Sequence, residues 1–297
     1  MRKPSAILFL ITACVFFRPL LTQQLETLID AEVASLAAQP GTRLAVVAVL
    51  DPSGRVLALG GQRGTTVDRT LPAMLRRDPG SVMKTFTIGT AIDEGVVKAT
   101  STVSGEGGTW AAFGRTIRDV TPHGEMSIDD VLAFSSNIGT AKVFEQLGHE
   151  RLERKLKALG LPTPPMNDDA SSVGVSYGAD IEPTPLELAK AFAAIASGEA
   201  FPNHTTEVLE LMRHTVDRDD GTGRQARVKG VTVAGKTGTW AIDDVASYAN
   251  FVGIVPADAP RYIVLVGVET TEKGYSGGSI AAPAFARVAS ALMRGAR

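Results

Sequence analysis

Strand-like segments in this sequence are confined to its two ends, and the long stretch between them is patterned as helix and loop. Near the start, Arg43 to Leu50 is rich in Val and Leu. The turn Asp51-Pro52-Ser53-Gly54 follows, and apolar character resumes from Arg55 to Leu59. Pro suits the second position of such a turn and Gly the fourth, so the pair reads as a hairpin. Three further strands are predicted near the other end, over Gly230–Thr239, Tyr248–Val255 and Arg261–Glu269, the last two joined by Pro256-Ala257-Asp258-Ala259-Pro260. The economical solution is one five-stranded antiparallel sheet assembled from both ends, with a helical region inserted between its second and third strands.

Helical periodicity supplies the rest of an α+β architecture. Leu25, Leu28, Ile29, Val33 and Leu36 recur at helix spacing before Pro40-Gly41, and Phe285, Val288, Ala289 and Leu292 do so in Ala282–Arg294. These two terminal helices are expected to cover one face of the sheet. Inside the insertion, helices are predicted over Ser81–Glu94, Ser127–Phe134, Ile138–Leu147, His149–Leu159 and Pro185–Ser197. Their ends carry the expected signals: Ser127 with Asp130 three residues on, Pro185 in a first turn, and Gly95, Gly148, Gly160 and Gly198 as stops. Asp217-Arg218-Asp219-Asp220-Gly221-Thr222-Gly223 has no apolar period and is predicted to be a mobile loop.

Composition narrows the function classes by exclusion. The 297 residues suffice for a sizeable core, and 30 Lys+Arg against 32 Asp+Glu argue against a nucleic-acid binder. The single cysteine, Cys14, excludes an intramolecular disulfide framework and a cysteine zinc cluster, and the four histidines form no HExxH pair. No metal and no cofactor are therefore expected. Met1-Arg2-Lys3 followed by apolar Ala6–Phe17 reads as an export signal or membrane anchor over residues 1–22, leaving 23–297 as one domain. Ile11-Thr12-Ala13-Cys14 also resembles a lipidation site, so cleavage, lipidation at Cys14 and retention all stay open, as does a buried helix.

Three short motifs stand in order: Ser81-Val82-Met83-Lys84, Ser135-Ser136-Asn137 and Lys236-Thr237-Gly238. By average composition the first two patterns each arise by chance about once in a chain of this length, and the third in roughly one chain in fifteen. Their order and placement carry the signal. Asp78-Pro79-Gly80 breaks the chain so that Ser81 begins a helix, and residues i and i+3 share a helix face, which sets the Lys84 amine beside the Ser81 hydroxyl. A desolvated lysine with a lowered pKa can take the proton of a serine nucleophile, and the helix start offers N–H groups to an oxyanion. An ordinary N-cap serine with a solvated lysine would look the same in isolation. Ser135 and Asn137 fall between two helices, where they either face a cleft or merely cap. Gly238 leaves room for another backbone, as strand addition by a substrate requires, and Lys236 with the Thr237 and Thr239 hydroxyls would suit a carboxylate.

With these motifs the sequence resembles the penicillin-binding proteins, specifically the class B transpeptidase domain, over about Leu44–Leu292. Asp78-Pro79-Gly80-Ser81, Pro122-His123-Gly124, Tyr177-Gly178, Thr184-Pro185-Leu186-Glu187-Leu188-Ala189 and Phe251-Val252-Gly253 are similar to further stretches of that group. The resemblance implies a D,D-transpeptidase outside the cytoplasm, held at the inner membrane through its N-terminus. Peptidoglycan stem peptides would be its substrates and β-lactams its inhibitors. Ser81 would be the nucleophile, Lys84 the general base and Ser135 the proton relay to the leaving D-Ala. Asn137 would hold the substrate amide and orient Lys84, and Lys236, Thr237 and Thr239 would take the terminal carboxylate. The N–H groups of Ser81 and Thr239 would form the oxyanion hole.

Class B members usually carry an extended non-catalytic region before this domain. Here one helix separates Leu21 from the strand at Arg43, which implies a bare catalytic domain on a short tether. That compactness keeps a serine β-lactamase or D,D-carboxypeptidase open, with Glu182 and Glu187 as conceivable water-activating groups. A non-enzymatic β-lactam or muropeptide sensor is the third alternative.

Overall fold

The computed structural model describes residues 23–295; the export or anchor segment expected over 1–22 lies outside the described residues. The described chain opens with helix α1 (residues 23–37), then the hairpin β1 (Thr42–Leu50) and β2 (Val56–Arg63) and a short β3 (Thr66–Val67). The insertion runs through α2 (Leu71–Met74), α3 (Lys84–Asp93), β4 (Thr102–Ser104), β5 (Thr109–Ala112), β6 (Arg115–Arg118) and β7 (Glu125–Ser127). It continues with α4 (Ile128–Phe134), α5 (Asn137–Leu147), α6 (His149–Ala158), α7 (Asp169–Tyr177), α8 (Pro185–Ala196) and α9 (Thr205–Asp217). The chain then returns to the sheet with β8 (Ala234–Ala241), β9 (Ser247–Val255) and β10 (Tyr262–Thr270), and closes with α10 (Ala282–Gly295).

The main sheet has the order β3-β2-β1-β10-β9-β8, antiparallel throughout. It has six strands where the sequence predicts five. The sixth is the two-residue β3, exposed and paired only with Gln62 and Arg63, too short for any alternation to announce it. The assembly from both ends is as expected: β1 lies against β10, with Val47 opposite Val266. Alternation along the strands sorts their side chains to two faces. Ala45, Val47, Val49, Val264, Val266 and Val268 pack with Ile29 and Val33 of α1 and Phe285 and Val288 of α10. Leu44, Val46, Ala48, Ile263 and Leu265 face the inserted helices, where Phe86 of α3 meets Phe192 of α8 edge-on at 5.6 Å.

Three helices go beyond the sequence expectation: the single turn α2, and the longer α7 and α9. α7 is built from Ser, Gly and Val, poor helix formers, and is held by burial and by a capping box between Asp168 and Ser171. α9 carries a helical period in Val208, Leu211, Met212 and Val216, but its N-cap His204 makes no side-chain cap bond, so no sharp start marks it.

The segment 217–223, expected to be a mobile loop, is a loop past the end of α9 that is fastened by many contacts. Arg218 reaches Asp130 at 2.8 Å and Asp129 at 3.4 Å, and its Nε donates to Asp220 at 2.9 Å. The Thr222 amide donates to Ala133 O and the Gly223 amide to Thr215 O at 2.8 Å. Charge pairing and backbone bonds hold this segment, and neither leaves an apolar pattern in the sequence. The sheet ends at β8, whose outer edge has no strand partner among the described residues.

Candidate active site

Ser81 sits in a single 3₁₀ turn, Gly80–Met83, that leads directly into α3. In a 3₁₀ turn positions i and i+3 eclipse, so Ser81 and Lys84 stack along one side. The turn is wedged against β8 and α7 by close backbone approaches. Gly80 has φ +57°, and a Cβ on it would lie 2.6 Å from Thr239 O. A Cβ on Gly178, the C-cap of α7, would lie 1.8 Å from Gly80 O, and the Gly80 amide donates to Gly178 O at 3.1 Å. A Cβ on Gly238 would lie 2.1 Å from Pro79 O. The sequence reading reserves the space at Gly238 for a substrate backbone; in the structure this chain's own Pro79 fills it. The buried Asn250 of β9 adds a hydrogen bond from Nδ2 to the same Pro79 carbonyl, 3.1 Å.

Ser135 caps α4 in the left-handed region, φ 64° and ψ 40°, and Ser136 caps α5, accepting from the Gly139 amide at 2.8 Å. A non-glycine residue in that region is strained, of order 1 kcal/mol, and here the strain turns its side chain toward two amines. Lys236 Nζ donates to Ser135 Oγ at 2.9 Å, and Lys84 Nζ lies 3.3 Å from the same oxygen while also donating to the Ser135 carbonyl. Both lysines are wholly buried. Burial drives the Lys84 amine down to about 7, against a smaller upward pull from the Asp119 carboxylate. Lys236 is lowered well below the ordinary lysine value, by burial first and by the neighbouring Lys84 charge second.

Asp119 has no sequence signal of its own. Its carboxylate accepts from Ser136 Oγ at 2.5 Å, from the Asn137 amide and from the Ile138 amide at 3.1 Å, fixing the start of α5. Asn137 Nδ2 donates to Arg118 O at 2.7 Å, so among the described contacts Asn137 bonds β6 and not Lys84; the orienting role expected of it is not seen. Thr222 is the other residue that sequence reasoning misses. Its hydroxyl meets Thr237 Oγ1 at 3.0 Å, and Thr239 Oγ1 accepts from the Gly277 amide at 3.0 Å. On one wall the His123 ring stacks on Phe134 with centroids 4.7 Å apart, and the Arg218 guanidinium lies over the Phe134 ring, 4.8 Å from its centroid.

These residues enclose a cleft of about 420 Å³. Of the predicted site residues, Ser81, Ser135, Asn137, Thr237 and Thr239 line it. Lys84 and Lys236 lie beneath, reaching Ser135 from inside the protein, and Gly238 faces the interior. Glu187 is engaged elsewhere, accepting from the Thr184 amide at 2.8 Å and pairing with Arg76, and Glu182 lines a separate hollow beside Asp78. Among the described cleft residues Asp119 is the one carboxylate. The arrangement supplies a serine hydroxyl open to a ligand, a second serine hydroxyl between two amines whose pKa values burial lowers, and paired threonine hydroxyls. That set suits acyl transfer through serine.

Comparison with known proteins agrees. The penicillin binding protein transpeptidase domain profile matches residues 45–290. The protein named "Probable peptidoglycan D,D-transpeptidase PbpC" from Pseudomonas aeruginosa is 28% identical over 299 residues, 84% of this chain and 53% of that protein. Peptidoglycan D,D-transpeptidase FtsI of Escherichia coli is 27% identical over 258 residues, 73% of this chain and 44% of that protein. The chain thus spans about half the length of the curated relatives it matches. A structure described as a peptidoglycan glycosyltransferase from Burkholderia ambifaria superposes with a TM-score of 0.84 at 25% identity, covering 92% of this chain and 96% of that one. The TP domain of Burkholderia pseudomallei penicillin-binding protein 3 superposes at 0.83 with 24% identity, covering 93% and 95%, which establishes the likeness of fold.

Proposed function

This chain belongs to the penicillin-binding protein transpeptidase domains, and on that premise we propose that it is a serine D,D-transpeptidase that cross-links peptidoglycan stem peptides. The observation that carries the reading is the meeting of the Lys84 and Lys236 amines on one hydroxyl, Ser135 Oγ, in the cleft that Ser81 lines. Neutral Lys84 takes the Ser81 proton as Ser81 Oγ attacks the carbonyl of the penultimate D-Ala. The proton passes through the Ser135 hydroxyl to the departing D-Ala nitrogen, and an incoming amine reverses the path. The N–H groups of Ser81 and Thr239 receive the oxyanion. The Thr237 and Thr239 hydroxyls meet the substrate carboxylate, and Asn137 holds the substrate amide. A stem peptide would lie along the free edge of β8 as an added strand.

β-Lactams fit the same site as acylating inhibitors of Ser81. Hydrolysis of the acyl-enzyme, as in a β-lactamase or carboxypeptidase, calls for a water-activating base. Glu182 and Glu187 lie outside the cleft, and Asp119 already accepts three hydrogen bonds. These placements favour an amine over water as acceptor. Residues 1–22 would act as export signal or anchor and 23–297 as the catalytic domain, on the periplasmic side of the inner membrane. Among the described residues no helix is long and apolar enough to cross a membrane.

Labelling with a fluorescent penicillin tests the reading. A long-lived adduct that disappears in Ser81→Ala is expected, together with cross-linking of stem-peptide substrates to an amine acceptor. Rapid turnover of a chromogenic cephalosporin would move the assignment to a hydrolase. A stable adduct without cross-linking would favour a sensor.

A further inference from the structure

Asparagine is a poor residue for the middle of a buried strand, because it brings little apolar surface and its side chain competes for backbone hydrogen bonds. Asn250 nevertheless lies within β9, between Ala249 and Phe251, and is wholly buried. Its neighbour across the ladder is Gly238 of β8. A Cβ on that glycine would lie 2.8 Å from Asn250 Oδ1 and 2.9 Å from Nδ2. One end of the Asn250 amide is used, since Nδ2 donates to Pro79 O at 3.1 Å. A carbonyl only accepts, so the amide must turn its NH2 end toward Pro79. The other end, Oδ1, is buried and has no hydrogen-bond partner among the described residues. A buried unpaired acceptor costs stability. Departures of this kind from the best-packed solution are expected where a functional geometry depends on them.

We infer that Asn250 is a positioning residue for the oxyanion hole, holding the N–H groups of Ser81 and Thr239 at a fixed spacing; this rests on the acyl-transfer reading of Ser81. The two donors come from segments far apart in the chain. Thr239 is placed by the β8–β9 ladder, in which Gly238 lies opposite Asn250 and Thr239 opposite Ala249. Ser81 follows Pro79-Gly80, and the same Asn250 holds that stretch through the Pro79 carbonyl. Because a peptide unit is planar, fixing this carbonyl also fixes the Gly80 N–H, which donates to Gly178 O at 3.1 Å. Only the φ and ψ of Gly80 then separate the held unit from the one that bears the Ser81 N–H. Gly80 is itself pressed against the second donor, for a Cβ on it would lie 3.0 Å from Thr239 N. One side chain therefore ties both halves of the hole to β9. Oxyanion stabilisation depends on donors placed before the charge develops, and that placement is the role of Asn250. It is not among the residues lining the cleft and acts through Pro79.

The test reads the hole directly. Benzylpenicillin carrying carbon-13 at its β-lactam carbonyl acylates the wild-type chain, Asn250→Leu, Asn250→Ser and Phe285→Ala, and infrared difference spectra record the acyl carbonyl band. Acylation rate constants and the dissociation constant of the non-covalent complex are measured alongside. Asn250→Leu keeps side-chain volume without a donor, and Asn250→Ser keeps a hydroxyl too short to reach Pro79, so either variant suffices if the other fails to fold. Removing one oxyanion donor outright costs about a hundredfold or more in rate, and loosening one is expected to cost about tenfold. In both Asn250 variants the acylation rate constant should fall by that factor at an unchanged dissociation constant, and the band should move to higher frequency as its hydrogen bonds weaken. Phe285→Ala, destabilised on the opposite face, should keep the wild-type band. A wild-type band and rate in the Asn250 variants overturn the assignment, and so does a lost rate with an unmoved band. A band that moves equally in Phe285→Ala also overturns it, because the shift would then follow stability alone. Absence of acylation in the wild type would instead overturn the reading of Ser81, and this one with it.

Discussion

On one face of the sheet, α1 and α10 close over Val47, Val49, Val264 and Val266 with Ile29, Val33, Phe285 and Val288. On the other, the same strands meet helices that carry Lys84, Thr85, Thr87, Thr90, Ser136 and Thr140 into the interior, all buried. Charge is handled differently on the two sides. Glu32 under the terminal helices is answered by Arg287 at 2.6 Å, whose own side chain is half exposed. Lys84 and Lys236 have no carboxylate within ion-pair distance among the described residues; they share Ser135 as a partner, and Lys236 also donates to the Thr237 carbonyl. The first face is organised for stability. The second holds two amines where water and counter-charge are scarce, an arrangement that costs stability and makes one of them a base near neutral pH.

Removing the base should break the contrast most. Lys84→Met is expected to slow acylation at least about a thousandfold, measured by penicillin labelling. An unfolded lysine keeps its proton to about pH 10.4, whereas folded Lys84 releases its proton near pH 7. Between those values the unfolded state binds more protons, so stability rises with pH across that window. Lys84→Met should flatten part of the rise in urea unfolding at pH 7, 8 and 9; an unaltered slope would contradict its burial as a neutral amine. On the opposite face, Phe285→Ala should lose about 3–5 kcal/mol through the cavity left against Phe251 and Gly253. The acylation rate per folded molecule should stay within about twofold of the parent, since that ring packs in the cluster under the terminal helices. A large loss of rate would mean that the faces are coupled.

A smaller effect sharpens the electrostatics. Asp119→Asn keeps an acceptor for the amides that start α5 and removes the charge that holds Lys84 up. The ascending limb of the acylation rate against pH should therefore move to lower pH, by about half a unit. A limb that stayed in place or moved to higher pH would deny the Asp119 charge this role; the other charged or titratable groups lining the cleft are Tyr177, His123 and Arg224, with Lys236 beneath. The smallest effect belongs to the terminal face. Arg287→Gln should cost no more than about 1 kcal/mol, less at high salt, with no change in labelling rate.

Much of this contrast is legible in the sequence where local chemistry dictates it. The Val-rich strands, the capped starts of α4 and α8, and the three motifs each announce themselves within four to ten residues. What escapes the sequence depends on contacts between distant segments. Asp119 acts on residues seventeen to nineteen positions away, and nothing beside it signals a cap. Thr222 reads as loop because Arg218 anchors its segment through Asp129 and Asp130, almost ninety positions earlier. Lys236 illustrates the same limit from the other side. Its motif identifies the residue, but only the fold reveals that its amine is buried and donates to Ser135 Oγ and the Thr237 carbonyl.

The pairing of β1 with β10 has a consequence for how the molecule comes into being. The central strand β1 is made early and finds its second neighbour only when residues 262–270 exist. Until then the β1–β2 hairpin presents a valine-rich edge with no partner, and loop closure across the whole helical insertion opposes the pairing. Folding of such a chain is expected to be slow and exposed to aggregation before that last strand docks. The turn that carries Ser81, gripped between Gly178 and Gly238, cannot be set until β8 has joined as well. Acylation competence should therefore be among the last properties the chain acquires, and the rate at which labelling appears during refolding would report the closing of the sheet.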